Sequence, residues 1–170
     1  VRKTTLFIAH IGDSRAYLFR DGILSQITTD HSWVEERVAE GLLTKEAARV
    51  HPNRNVITRA IGIEPEAEID TEMKALAWGD LVVVASDGLT AMVADEDIEQ
   101  ILHAHSKEQS CHALITAANE AGGQDNVTVA IACVGTPSER RTRLSSQETM
   151  QVTQKRSLLS ALIRRIFRRR

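Results

Sequence analysis

Two short runs limit what this chain can fold into. Residues 81–85 read Leu-Val-Val-Val-Ala, and residues 127–134 read Val-Thr-Val-Ala-Ile-Ala-Cys-Val. Both are short, rich in β-branched residues and without the polar alternation of a strand that has one wet face. They predict strands buried inside a layered domain. Only 4% of residues are aromatic against 42% hydrophobic, so the core they enter must be aliphatic. Each run also meets a carboxylate, Asp87 after the first and Asp125 before the second. A charge at the mouth of a buried strand needs a partner.

Around these runs, strands come in groups and helices in pairs. Residues 5–11 and 16–19 flank Gly-Asp-Ser-Arg, and Asp21-Gly22 is a hairpin signal, so the first 28 residues predict an antiparallel meander. Ser32 with Glu35, and Ser106 with Gln109, are capping-box pairs, and Thr44 is a further N-cap. The helices they open are ended by Gly41, by Gly122-Gly123 and by His51-Pro52 respectively. Another helix starts at Asp95 or Asp97 and runs to about His105. Residues 55–62 return to strand or extended chain, and residues 66–74 alternate loosely before the Ala-Trp-Gly-Asp turn. No βαβ rhythm and no internal repeat emerge. The expected class is α+β, with antiparallel sheets covered by helices.

The net charge of -2 conceals an asymmetry. Residues 1–135 carry 11 basic and 21 acidic side chains, whereas residues 136–170 carry 10 basic and 2 acidic ones. Residues 136–156 read as a polar linker, and residues 157–170 as a basic amphipathic helix. That helix suits an anionic membrane surface, an acidic partner or plain solvation. Nucleic acid is not expected as a partner, because the body is acidic. Cys111 and Cys133 lack any CxxC pattern and read as free thiols of a reducing, cytoplasmic compartment. No apolar run approaches the ~20 residues of a membrane-spanning helix. The N-terminus reads as a strand entry without an initiator Met, which suggests the later part of a longer chain.

Three Asp-bearing turns lie at strand ends: Gly-Asp-Ser-Arg at Asp13, Ser-Asp-Gly-Leu at Asp87 and Gln-Asp-Asn-Val at Asp125. Each, taken singly, is explained by turn chemistry. Converging at one end of a sheet system, the three would repel unless a cation neutralised them. Oxygen donors without a Cys/His cluster suit Mg²⁺ or Mn²⁺ and argue against structural zinc. Arg15, beside Asp13, reads as a local ion-pair partner. His31 has the best claim among the histidines to a place at a cleft, and His10, His103, His105 and His112 read as packing or solvated residues.

IGDSRAYL, TTDH, NVITRAIG, GDLVVVASDGLT and GGQDNVTV, in this order, resemble the motif series of metal-dependent type 2C protein phosphatases in their bacterial form. The likeness runs from about Leu6 to Val134. It implies a four-layer sandwich, two antiparallel sheets flanked by helices, and hydrolysis of phosphoserine and phosphothreonine by a metal-activated water. It assigns Asp87 and Asp125 to one ion of a binuclear Mg²⁺ or Mn²⁺ centre and Asp13 to an additional weaker site, two or three ions in a complete domain. Asn126 and Gly88 fall behind these ligands. Residues 31–57 resemble a mobile flap, with His31 and Asn55 at the cleft or on the flap. The implied partners are phosphoproteins and cognate Ser/Thr kinases. No Cys-x5-Arg loop is present, which excludes a cysteine-based phosphatase.

One departure matters. The family's earlier half, with its DGxGG turn and bridging Asp, has no counterpart here. The fold is therefore expected to be incomplete at the N-terminus, with apolar surface left open, weak metal binding and negligible turnover by the chain alone. The alternative function is a non-catalytic, phosphatase-like binding module.

Overall fold

A computed structural model describes residues 4–63 and 66–135. In chain order the elements are β1 (Thr4–His10), β2 (Arg15–Arg20), β3 (Ile23–Gln26), α1 (Trp33–Ala39), α2 (Lys45–Val50), β4 (Asp70–Leu76), β5 (Leu81–Ala85), α3 (Asp87–Thr90), α4 (Asp95–Ala104), α5 (Lys107–Glu120) and β6 (Val129–Cys133). They form an antiparallel four-stranded sheet ordered β3-β2-β5-β6 and an antiparallel pair β1-β4. The class is α+β, as the grouping of elements requires. The segments 136–156 and 157–170, read above as linker and basic helix, lie outside the described residues.

The hairpin at Asp21-Gly22 forms. Asp21 (φ 52°) and Gly22 (φ 84°) both adopt positive φ, as a two-residue turn of the primed type demands, and Arg20 pairs with Ile23. The wider meander does not form. β1 leaves its sequence neighbour and pairs with β4, from Thr4 opposite Leu76 to His10 opposite Asp70. The reason lies in the connection after β1. Gly12 donates its N–H to His31 Nδ1 (3.1 Å) and accepts from the His31 N–H (2.8 Å), so this turn is tied to the chain beyond β3 and not closed as a hairpin.

The core sits on one face of the larger sheet. Tyr17, Leu81, Val83 and Ala85 pack against Leu89, Ile98, Leu102, Leu114 and Ala118 from the helices and Val93 from the α3–α4 loop. It is aliphatic around one tyrosine, as the composition predicts. The other sheet face is less covered than the apolar runs taken alone imply, in line with the open apolar surface expected above. Val84 is 47% exposed, and Ala130 and Ala132 on edge strand β6 are exposed beside it. On the β1-β4 pair, Phe7 and Met73 face each other while 71% and 66% exposed. An apolar run thus reports a strand's chemistry, and only tertiary packing decides whether both of its faces are covered.

Local signals place the helices well. Ser32 Oγ accepts the Glu35 N–H (3.3 Å), Thr44 Oγ1 accepts the Ala47 N–H (3.2 Å), and Ser106 with Gln109 forms the capping box of α5. Residues 55–62 form no regular strand. They run as an extended strap, with Ile57 bridging Ser32, Trp33 N–H bonded to Val56 O (2.8 Å) and Thr58 N–H to His31 O (2.8 Å). Between the sheets, Arg20 donates to both carboxylate oxygens of buried Asp80 (2.9 and 2.6 Å) and to Ala75 O (2.8 Å). Those bonds hold the Asp80 carboxyl below its ordinary value of 3.8, aided by the Ala77 N–H against the opposing effect of burial. No helix among the described residues is long and apolar enough to cross a membrane.

Candidate functional site

The site is built where β5 ends. Ser86 stands between β5 and α3, and it fastens the chain before β6. Its Oγ donates to Asn126 O (3.1 Å) and accepts the Thr128 N–H (3.0 Å), while its own N–H reaches Thr128 O (3.0 Å). Gly88 lets the two segments meet. A Cβ at that position would lie 2.4 Å from Asn126 O and 2.9 Å from its carbonyl carbon, too close for any side chain. Asp87 and Asp125 are therefore presented by adjoining turns. Asp87 Oδ1 accepts the Gly88 N–H (2.9 Å), and Asp125 Oδ1 accepts the Asn126 N–H (2.6 Å). Asn126 thus orients Asp125 through its backbone.

Asp13 enters from the β1–β2 turn and lines an open cleft of about 340 Å³ together with Asp87. Its carboxyl titrates above the ordinary 3.8. Burial is the larger cause and the Asp87 charge the next, while a backbone hydrogen bond and Arg15 oppose them. A carboxylate pair that repels in this way is what a bound cation would relieve. Asn55 lines the same cleft, from the chain after α2; Asp125 and His31 do not.

The donors suit a hard divalent cation in type, and they are few. Among the described residues no three His, Cys, Asp or Glu side chains gather closely enough to hold a metal ion. The structure brings Asp13 and Asp87 into one cleft, sets Asp125 in the adjoining turn, and goes no further than this partial set.

His31 lies behind the Asp13 turn. It is buried, its Nδ1 accepts from Gly12, and its Nε2 stands 3.0 Å from Asp70 Oδ2. Since Nδ1 accepts, the ring proton sits on Nε2 and is donated to Asp70. His31 ties the β1–β2 turn to β4, which positions Asp13.

Arg15 pairs locally, as its strand-edge position suggests. Its guanidinium grips Asp30 by Nε (2.9 and 3.0 Å) and Nη2 (2.7 Å). Burial alone would lower the Arg15 pKa, but the bonds and charge of Asp30 outweigh it and the group is held charged. The same network contains residues that sequence reasoning missed. Tyr17 donates its hydroxyl to Asp95 Oδ1 (3.0 Å) and accepts from Arg15 Nη1 (3.3 Å). Burial pushes the Tyr17 phenol upward, so it stays a neutral donor. Asp95 is the first residue of α4, one of the two starts expected for that helix, and its carboxylate serves Tyr17 and Arg15. The clue available for Asp30 was its place in TTDH, directly before His31.

Comparison with known proteins fits this geometry. Residues 1–127 match the family model described as Protein phosphatase 2C. The chain is 41% identical over 128 residues to the serine/threonine phosphatase stp of Listeria welshimeri, covering 75% of this chain and 51% of the relative. The crystal structure of the serine/threonine phosphatase Stp1 from Staphylococcus aureus aligns with a TM-score of 0.75 at 36% identity, over 80% of this chain and 54% of that one. The catalytic domain of the serine threonine protein phosphatase PstP in complex with two manganese ions aligns at 0.70 and 42% identity, over 78% of this chain and 54% of that one. The chain spans about half the length of the curated relatives it matches first. By the extent of the family match, the chain belongs to the protein phosphatase 2C family, in its bacterial form.

Proposed function

We propose that the chain contributes Asp13, Asp87 and Asp125 to a metal-dependent phosphatase site acting on phosphoserine and phosphothreonine in proteins. The observation that supports this most directly is the fastening of the Asp87 and Asp125 turns, with Gly88 letting Asn126 approach and Ser86 bonding across. Mg²⁺ and Mn²⁺ are the candidate ions; the PstP neighbour is described with manganese. Asp87 and Asp125 would hold one ion and Asp13 another. When bound, such cations supply the Lewis acidity that acidifies water and neutralises phosphate charge. The chain's own residues do the positioning. Gly88 and Asn126 N–H groups fix one oxygen of each carboxylate, and His31 steadies the turn that carries Asp13.

The remaining ligands are assigned to polypeptide outside the matched span. The 170-residue chain by itself is accordingly expected to give negligible hydrolysis of p-nitrophenyl phosphate in Mn²⁺. Restoring the complementary half of a family domain should produce turnover that Asp87→Asn or Asp125→Asn abolishes. Mn²⁺ binding by the chain that is unchanged in the Asp87→Asn/Asp125→Asn double variant would sink the ligand assignment. A second reading, a phosphoprotein-binding module without turnover, is favoured by the shortage of ligands among the described residues. Failure of the completed domain to turn over would select it. The substrates in either reading are products of Ser/Thr kinases in the cytoplasm. Segment 157–170 keeps an anionic membrane surface as its candidate partner.

A further inference from the structure

We infer that the flap side of the cleft, through Lys45, Arg49 and Arg54, selects phosphoprotein segments with acidic residues next to the phosphorylated side chain, an inference that rests on the phosphatase reading of the cleft floor. Lys45 opens α2, Arg49 follows one turn later on the same face, and Arg54 stands in the chain just beyond. All three are exposed, and all line the cleft that holds Asp13 and Asp87. Their support is fixed. Ala48 of α2 is buried, and His51 stacks on Trp33 with ring centroids 4.9 Å apart. The strap bonds at Val56 and Thr58 hold the segment after Arg54.

What sets this wall apart is charge that is only loosely held. Elsewhere in the body basic side chains are spent on neighbours: Arg15 on Asp30, Arg20 on Asp80, Arg37 on Glu40, Arg59 on Asp70 and Lys74 on Glu72. Among the described residues Lys45 and Arg54 make no close ion pair, although the charges of Arg49 and Lys45 both act on exposed Glu46 beside them. Arg49 makes a long, exposed one of 3.9 Å with Glu96, in the first turn of α4. Residues 1–135 hold 21 acidic against 11 basic side chains, and Asp30, Glu35 and Asp95 line the cleft beside Asp13 and Asp87, so Lys45, Arg49 and Arg54 form a positive edge on an otherwise acidic cleft. The acidic floor at Asp13 and Asp87 repels carboxylates, and the flap wall attracts them. Glu96 already shows Arg49 within reach of a carboxylate. An incoming Asp or Glu would replace that weakly held contact, while the phosphorylated residue points to the floor.

Fluorescence anisotropy with the 170-residue chain in Mn²⁺ tests this. Three labelled peptides are compared: a phosphothreonine peptide flanked by Asp and Glu, its counterpart flanked by Asn and Gln, and the acidic peptide without phosphate. The acidic phosphopeptide should bind about tenfold more tightly than the neutral one, and the gap should shrink as salt is raised. Lys45→Gln/Arg54→Gln should close the gap, and Lys45→Glu/Arg54→Glu should invert it. Equal binding of the two phosphopeptides by the parent chain overturns the inference, as does absence of binding by all three. Equal losses for both phosphopeptides in the variants also overturn it, because the wall would then be reading the phosphate. If the acidic peptide binds equally well without phosphate and responds to the same variants, the wall stands and the phosphatase reading of the floor is what fails.

Discussion

Substituting Gly88 by Ala pits two effects of opposite sign against each other. Gly88 lies in α3, and Gly-to-Ala in a helix ordinarily stabilises by about 1 kcal/mol. Here the added Cβ would sit 2.4 Å from Asn126 O, about 1 Å inside ordinary contact, and 3.3 Å from Val127 N. The obstacle is backbone, anchored by both bonds of Ser86 Oγ. It cannot step aside as a flexible side chain would. Forcing the segments apart should cost about 1–3 kcal/mol by overpacking, with about 1 kcal/mol more if the Ser86–Asn126 bond is lost. The clash therefore outweighs the propensity gain. A net loss of about 1–3 kcal/mol should lower the melting temperature by about 3–10 °C. Because the strain falls between the Asp87 and Asp125 turns, Mn²⁺ affinity should fall with it. Thermal unfolding followed by circular dichroism measures the first effect, and calorimetric Mn²⁺ titration the second. Ser86→Ala acts on the same contact, so the double variant should lose less than the sum of the singles. A higher melting temperature with Mn²⁺ binding intact would refute the reasoning.

Two further outcomes are expected. Arg20 holds the Asp80 carboxyl below 3.8, so their pairing stabilises the fold at and above that pH and is lost as pH falls through the lowered value. Asp80→Asn should then destabilise most near neutrality, by about 1–3 kcal/mol, and converge with the parent in strong acid; a constant gap in urea midpoints from pH 2 to 7 (roughly the carboxylate titration range) contradicts this. Second, Asp87→Asn removes the charge that helps raise the Asp13 pKa, while burial, the larger cause, remains. Carboxyl NMR titration should show Asp13 moving down but staying above its ordinary value, and an unmoved Asp13 would mean that the two groups do not share the cleft electrostatically.

What the sequence determined alone was local. The turn at Asp21-Gly22, the caps at Ser32, Thr44 and Ser106, and the strand character of Leu81–Ala85 follow from dihedral preferences and hydrogen bonds within a few residues. The Asp-bearing turns were legible too, since short polar turns between apolar strands leave a pattern in the chain. Tertiary structure decided what such rules cannot carry. Periodicity marks β1 as a strand, but its partner is β4, because distant hydrogen bonds from His31 hold the intervening turn open. It marks Val84 as apolar, but the exposure depends on what packs above the sheet. It starts a helix at Asp95, but that Tyr17 and Arg15 claim the carboxylate is set by the packing. Nothing in the spacing of Lys45 and Arg54 places both beside Asp13 and Asp87; the fold of α1, α2 and the strap does. Side-chain chemistry is written along the chain, whereas the partner that completes it is set by closure of the chain in space.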